Sequence, residues 1–229
     1  MTKNKTFRQF LEEVKPLTFE ELLHGPCVNF FKQSKQNGLL VRGMSGYGQL
    51  VGEMSVEGND QKFTVFRKTV RKDRKPMDTV GPLHKIIDDW FEDHMGIRAR
   101  SEAVFCFGEA ARETAYTYGQ VCVVLPIGKF TYVWSPKVSD LFNDVIMNKM
   151  QDGRNIKKEY IGSDGKPDED VIYAELDELG YTINGLDKAV ADAVEIMIDC
   201  DDYYVIPMPN DYDNREKFLN ILKKAFVHA

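Results

Sequence analysis

The stretch from Arg98 to Pro126 constrains the fold more than any other. It reads as strand, helix, strand. Ala103 to Phe107 is a short apolar run with aromatic enrichment. Glu109 to Tyr118 is a compact Ala-rich helical segment stopped by Gly119, and Val121 to Ile127 is a second apolar run. Two short continuous apolar runs joined by a helix are buried strands, so the segment belongs to a core and not to a surface decoration. The polar residues on its rim, Arg98, Arg100, Ser101 and Glu102, stand where the first strand enters that core, and a site can lie there.

Reading the rest of the chain outward places this unit in a mixed α+β domain. Phe7, Phe10, Leu11 and Val14 have helical spacing. Thr18 and Glu21 form a capping-box pair that opens a second helix. Gly25-Pro26 breaks the chain, and a third helix through Cys27, Phe30 and Phe31 ends near Asn37-Gly38. Leu39 to Val41 is a short apolar strand that delivers Arg42 and Gly43 at its end. Met44 to Gly52, with Gly46 and Gly48, reads as a loop that matches neither a phosphate-binding P-loop nor a dinucleotide fingerprint. Phe63 to Val70 is a strand. Asp78 or Thr79 caps a helix with Pro82 in its first turn and an apolar face of Leu83, Ile86, Ile87, Trp90 and Phe91, closed by Gly96.

After the central unit, Phe130 to Trp134 is another strand. Ser135-Pro136 has the chemistry of a helix start through Val138, Leu141, Phe142, Val145 and Ile146. Asp152 to Asp168 is a loop or hairpin, Asp168 to Leu179 an acidic helix closed by Gly180, and Leu186 to Ala193 a short helix. Val194 to Ile198 and Tyr203 to Ile206 read as a hairpin or a bent strand pair around Asp199, Cys200, Asp201 and Asp202. Asp211 to Val227 is a final helix. The expectation is one α+β domain: a helical N-terminal layer over 1–38, a core over 39–207 and a C-terminal helix over 208–229.

Composition narrows the class of partner. No window approaches the length of an apolar membrane span, and the first residues lack the apolar segment of a secretory leader. The 4 cysteines are far apart and mostly within apolar runs, which suits buried, reduced thiols in a cytoplasmic setting. No CxxC and no paired His suggests a metal site, so none is assigned. The net charge of −6 is unevenly spread. Lys62 to Lys75 is strongly basic, and Asp164 to Asp202 strongly acidic. The basic run is either a solvated strand edge or a contact for phosphates in a cofactor or nucleic acid, with Phe63 and Phe66 interleaved among the cations.

Three places within the strands could carry chemistry: Arg42-Gly43, Ser101 at the entrance of the Ala103–Phe107 strand, and Glu195 inside the Val194–Ile198 run. A charge inside an apolar strand is costly to bury unless it is paired or used. Each could instead alternate outward to water.

Taken together, Val41-Arg42-Gly43, Arg100 to Phe105, Ala115 to Gly119 and Glu195 to Ile206 resemble, in order and spacing, the ADP-ribosyltransferase-like fold family, which includes bacterial toxins and bacteriophage effectors. The resemblance implies a split mixed or antiparallel sheet core and chemistry at the nicotinamide ribose of NAD. It makes Glu195 the carboxylate that stabilises an oxocarbenium-like ribose. Arg42 becomes the residue that holds the phosphates or the adenosine ribose. Ser101 orders Glu195 or contacts the ribose, and Gly43 lets the backbone approach the cofactor. Phe105, Tyr116 and Tyr118 are the candidates to stack on nicotinamide. The acceptor is a protein or nucleic acid, in the host cytoplasm for a phage effector.

The sequence departs from the family in two ways. Ala193 stands where the arginine-modifying branch carries a second acid, leaving Asp199, Asp201 and Asp202 as possible substitutes; and the strand after Ser101 lacks the common Ser-Thr-Ser pattern. These departures keep open NAD hydrolysis or another acceptor. They also keep open a non-enzymatic binding, inhibitor or virion-associated protein on the same fold, one that contacts nucleic acid through Lys62 to Lys75.

Overall fold

Among the described residues nine strands hydrogen-bond into one sheet, and the way two consecutive strands sit in it decides the architecture. The structure is a computed structural model and describes residues 17–34, 38–45, 51–58, 61–72 and 74–228. The expected helix over Phe7 to Val14 lies outside these residues. In chain order the first elements are β1 (Leu17–Thr18), α1 (Phe19–His24), α2 (Val28–Ser34), β2 (Leu40–Met44), β3 (Val51–Gly58), β4 (Gln61–Thr69), α3 (Gly81–Met95) and α4 (Ala99–Glu102). The central unit follows as β5 (Val104–Gly108), a 3-10 turn and α5 (Arg112–Tyr116), then β6 (Gln120–Pro126) and β7 (Phe130–Trp134). A π-helix (Leu141–Met150) leads into a small hairpin of β8 (Gln151–Asp152) and β9 (Asn155–Ile156). The chain ends with α6 (Glu169–Asp177), α7 (Leu186–Ala191), β10 (Glu195–Cys200), β11 (Asp202–Pro207) and α8 (Tyr212–His228).

The sheet order is β1-β3-β4-β11-β6-β2-β5-β10-β7, with β1–β3 parallel and the other pairs antiparallel. Of the two readings of Val194–Ile198 and Tyr203–Ile206, the hairpin is excluded, because β10 and β11 do not pair with each other. Only Asp201 separates them in the chain, yet β6, β2 and β5 lie between them in the sheet. Four inter-strand steps in a flat sheet span about 19 Å, whereas one linking residue bridges about 7 Å. The sheet must therefore bend sharply. The weak seam is β2–β5, which pairs only Leu40 with Gly108 and Val41 with Phe107, against five register pairs between β2 and β6.

Two cores result. The larger gathers side chains from both sides of that seam: Leu40, Val124 and Val205 from one side, Val104, Cys106 and Ile198 from the other, with Leu22, Phe30 and Phe218 from the flanking helices. The Phe63 ring joins Phe19 at 5.4 Å and Phe218 at 5.3 Å, which ties α1, β4 and α8 together. Aromatic packing of this kind adds about 1 kcal/mol per pair beyond burial. The second core covers the other face of β10 and β7. There Met197 and Val133 meet Leu83, Ile87, Trp90 and Phe91 of α3, Leu141 and Val145 of the π-helix, and Ile172 and Leu176 of α6.

Local signals placed most helix ends correctly. Thr18 caps α1: Glu21 N–H donates to its Oγ1 at 3.1 Å and Glu21 Oε2 accepts from the Thr18 N–H at 2.8 Å. Gly96 closes α3 at a φ of 74°, where glycine alone is unstrained. Asp168 caps α6.

Four expectations are corrected. Arg42 and Gly43 lie within β2 and not at its end. Val51-Gly52, assigned to a loop, opens strand β3, whose register shifts between Val51 and Glu53; a bulge at Gly52 hides the alternation. Neither Asp78 nor Thr79 caps α3, which begins after Val80, because the Thr79 hydroxyl accepts instead from Arg100 Nη2 at 3.2 Å. Ser135-Pro136 forms a turn and not a helix start. Ser135 Oγ donates to Leu179 O at 2.6 Å and accepts from Lys137 N–H, and the helix begins later, capped by Asp140.

Among the described residues no helix is long and apolar enough to cross a membrane. All 4 cysteines are free and buried.

Candidate functional site

Glu195 begins β10 and is only 8% exposed. Its register partner Phe107 puts it on the same sheet face as Phe105 and Met197, the face covered by α3 and the π-helix. The strand hydrogen-bonds into the approach to that helix, Glu195 N–H donating to Ser139 O at 3.0 Å. The carboxylate then accepts from the Leu141 N–H at 3.1 Å. Burial pushes Glu195 up to about 7, and Asp140 adds to the rise; Arg100 and the Leu141 N–H oppose it. Asp140, itself buried, accepts from Asn143 N–H and from the Tyr118 hydroxyl. Tyr181 completes the surroundings: its hydroxyl is buried without a partner, and burial, then Glu195, holds its ionisation well above the ordinary tyrosine range.

Ser101 does not reach Glu195. It lies in the short helix α4, before the strand, and its hydroxyl donates to Asp88 on α3. Asp88 also accepts from the Arg100 and Ser101 N–H groups, at 2.8 and 3.2 Å. A single buried carboxylate thus anchors α4 to α3. The residue of this rim that lies beside Glu195 is Arg100, whose side chain enters the buried cluster one position earlier.

Arg42 is half-buried on β2 opposite Cys122, and its Nη1 is buried without a partner. No hydrogen bond or ion pair joins Arg42, Ser101 and Glu195 to one another among the described residues. By register Glu195 lines up with Phe107 and Val41, so Arg42 stands one position along and leaves its strand on the opposite face to Val41. Beyond Val41 the two strands part, and the Cys106 thiol on β5 lies within the fields of both Arg42 and Glu195.

Arg74, which follows β4, approaches the same region. Its Nη2 donates to Ala103 O at 2.5 Å. Its guanidinium carbon lies 4.9 Å from the centre of the Phe105 ring, and that of Arg100 lies 5.3 Å from it. Burial, then the charges of Arg42 and Arg100, push Arg74 down to about 10. Nothing in the sequence singles out Arg74 within its basic run, and Arg100 stands out only as a polar residue on the rim of the Ala103–Phe107 strand.

The aromatic candidates separate clearly. The Phe105 ring carries the two guanidinium groups. Tyr116 is 64% exposed. Tyr118 stacks on Phe107 at 6.3 Å, and its hydroxyl is bound to Asp140. Gly43 faces protein: a Cβ there would lie 1.9 Å from Ala115 O and 2.8 Å from Tyr118 Cβ, so its missing side chain admits α5 and the turn after it. Nor do the acidic residues of the β10–β11 corner supply a second acid. Asp199 pairs with Lys72 at 2.5 Å, and Asp202 with Arg67 and Thr69 at 2.6 Å each. Asp199 lies four strand residues, about 13 Å, along β10 from Glu195. Those pairs also neutralise part of the basic run. Asp140 is the carboxylate that shares the surroundings of Glu195.

Among the described residues no group of three or more His, Cys, Asp or Glu is placed to hold a metal ion. No protein-family model, no curated protein and no solved structure matches the chain.

Proposed function

We propose that the chain binds NAD along the β2–β5 seam and cleaves its nicotinamide–ribose bond, transferring ADP-ribose to a protein or nucleic acid acceptor on an ADP-ribosyltransferase-like split sheet. The observation that carries this reading is Glu195: a carboxylate kept in the interior at the start of a central strand, beside Arg100. A buried acid with a pKa raised towards neutrality and a specific charged neighbour is a functional-site signature.

The chemistry asks little of the protein in acid catalysis. The bond between nicotinamide nitrogen and ribose C1′ breaks with both electrons going to the pyridinium ring, so nicotinamide leaves neutral and needs no proton. Positive charge grows on C1′ and the ring oxygen. Ionised Glu195 accepts a hydrogen bond from the ribose 2′-OH and opposes that charge. An acceptor nucleophile, or water, then bonds to C1′ and gives up its proton. Arg42 supplies a guanidinium fork for the phosphate portion. Ser101 has a positioning role through Asp88, and Asp140 is the candidate second acid near the reacting centre.

The test is nicotinamide release from NAD, measured chromatographically with and without cell lysate as a source of acceptors. Release that Glu195→Gln abolishes supports the reading. A folded wild-type protein that releases no nicotinamide under either condition overturns it.

A further inference from the structure

We propose that Tyr118 controls access to Glu195: its side chain lies across that carboxylate as a latch, its hydroxyl held by Asp140, and swings aside to admit a hydroxyl-bearing ligand such as a ribose. The latch stands on contacts within the chain; it rests on the NAD reading only for the identity of the ligand.

Three contacts stretch Tyr118 across the sheet. Its base lies on β2, where a Cβ at Gly43 would meet Tyr118 Cβ at 2.8 Å. Gly43 is two residues beyond Val41, so it presents the face shared by Val41, Phe107 and Glu195. The ring stacks on Phe107 of β5, with centroids 6.3 Å apart and planes 17° from parallel. The hydroxyl reaches past β10 and donates to Asp140 Oδ2. Asp140 stands between the two residues that hold Glu195. Glu195 N–H donates to Ser139 O at 3.0 Å, and Leu141 N–H donates to Glu195 Oε2 at 3.1 Å. β2, β5 and β10 are neighbours in that order. The tyrosine therefore runs from the strands on one side of Glu195 to the helix cap on the other, with Glu195 beneath it.

Exposure follows the same order. Tyr118 is 42% exposed, Glu195 8% and Asp140 4%. The exposed Asn143 braces the latch, its Nδ2 donating to the Tyr118 hydroxyl at 3.3 Å and to Asp140 Oδ2 at 3.1 Å. Burial, then the bond to Asp140, hold the Tyr118 ionisation above the ordinary tyrosine range, so the hydroxyl remains a donor at neutral pH. The backbone beneath does not carry the motion. Tyr118 N–H donates to Ala115 O at 3.1 Å, and a Cβ on Gly119 would lie 2.5 Å from Met44 O. Opening is the rotation of one side chain, which breaks the bond to Asp140. A ligand hydroxyl replaces the phenol as donor to that carboxylate, whereas an apolar ligand of the same size forfeits the bond. The latch thus selects for hydroxyl-bearing ligands.

Carbodiimide coupling of glycinamide to carboxyl groups, mapped by peptide mass spectrometry, reads access to Glu195 without any NAD. Exposed Asp213 is the reference for reagent reactivity, and Asp88, 2% exposed on α3, the reference for general loosening. Tyr118→Phe keeps the stack and loses the hydroxyl. Glu195 and Asp140 are expected to couple about 10-fold faster in it, the worth of one hydrogen bond to a charged group, with Asp88 unchanged. Tyr118→Ala keeps the Cβ that meets Gly43 and uncovers Glu195 further. Asn143→Ala removes the brace alone, a second and milder variant should the tyrosine changes disturb folding. Tyr212→Phe, at an exposed tyrosine on α8, leaves the coupling unchanged. Glu195 coupling equal to wild type in Tyr118→Phe, Tyr118→Ala and Asn143→Ala overturns the latch, as does a rise matched at Asp88. Under the NAD reading Tyr118→Phe is expected to lower KM with kcat nearly unchanged, because the open form is more populated. A raised KM makes the tyrosine a ligand contact and overturns the latch. Faster Glu195 coupling in a variant of a protein that releases no nicotinamide leaves the latch standing and removes the NAD reading. Nicotinamide release with coupling indifferent to all three changes does the reverse.

Discussion

Glu195 Oε2 accepts a hydrogen bond from the Leu141 N–H, so the buried carboxylate of β10 sits on the first turn of the π-helix. Helix N-termini favour negative charge. Even so, burial and Asp140 outweigh that help and push the acid up to about 7 from its ordinary 4.5. The group is held at a cost to the fold.

That cost has a definite pH dependence. Below pH 4.5 the carboxyl is protonated in both folded and unfolded chains. Between 4.5 and about 7 the unfolded chain gives up its proton while the folded chain keeps it, so stability falls as pH rises. Above 7 the full penalty remains, on the order of 3 kcal/mol. Glu195→Gln, which keeps an acceptor for Leu141 N–H, is expected to flatten this decline and to raise Tm at pH 8. Chemical unfolding of both proteins from pH 4 to 8 measures it; parallel curves contradict the assignment.

The same ionisation sets a rate profile under the NAD reading. Only the carboxylate can oppose charge on the ribose, so kcat/KM is expected to rise with pH through about 7 in the free protein. A profile already flat from pH 5.5 upward would show that another group carries the chemistry.

Ser101→Ala removes a hydroxyl donor from Asp88 but leaves two backbone N–H groups on that carboxylate. The expected outcome is a loss of about 1 kcal/mol in stability. Nicotinamide release should stay within a few-fold of wild type, with KM moving more than kcat. A collapse of kcat to the level of Glu195→Gln would restore a direct role for Ser101.

Gly43→Ala forces a Cβ to within 1.9 Å of Ala115 O, a backbone atom that cannot swing aside. Destabilisation of about 3 kcal/mol or more is expected. It should appear in the melting temperature without any ligand present. A variant of normal stability that fails only in NAD binding would return Gly43 to the cofactor.

The basic run makes a weaker nucleic-acid surface than its composition suggests. Arg67 and Lys72 are paired with Asp202 and Asp199, while Arg74 donates to Ala103 O and lies over the Phe105 ring. Oligonucleotide binding at 0.15 M salt is expected to be negligible by fluorescence anisotropy. Tight binding that weakens steeply with added salt would contradict this.

Much of the fold was legible because its signals are local. Continuous apolar runs marked β5, β6, β10 and β11; Thr18 and Asp168 marked helix starts; Gly96 marked a stop, each acting within a turn of its own position. The α+β class follows from such patterns alone; they mark Glu195 as a charge within an apolar run, and the structure shows that it is buried. What sequence could not convey is which elements meet. β10 and β11 read as a hairpin or a bent strand pair, yet each pairs with other strands, and the bend that permits this lies at a seam some 90 to 160 residues earlier in the chain. Ser101 finds Asp88 rather than Glu195. Arg74 and Arg100, 26 positions apart, share Phe105, and the N–H that meets Glu195 belongs to a residue 54 positions away. The amino-acid order determined by itself the apolar runs that become strands and the helix ends marked by Thr18, Asp168 and Gly96. The tertiary structure alone decided their partners, since a buried charge takes whatever donor or acceptor the packing brings within about 3 Å, and that distance has no counterpart along the chain.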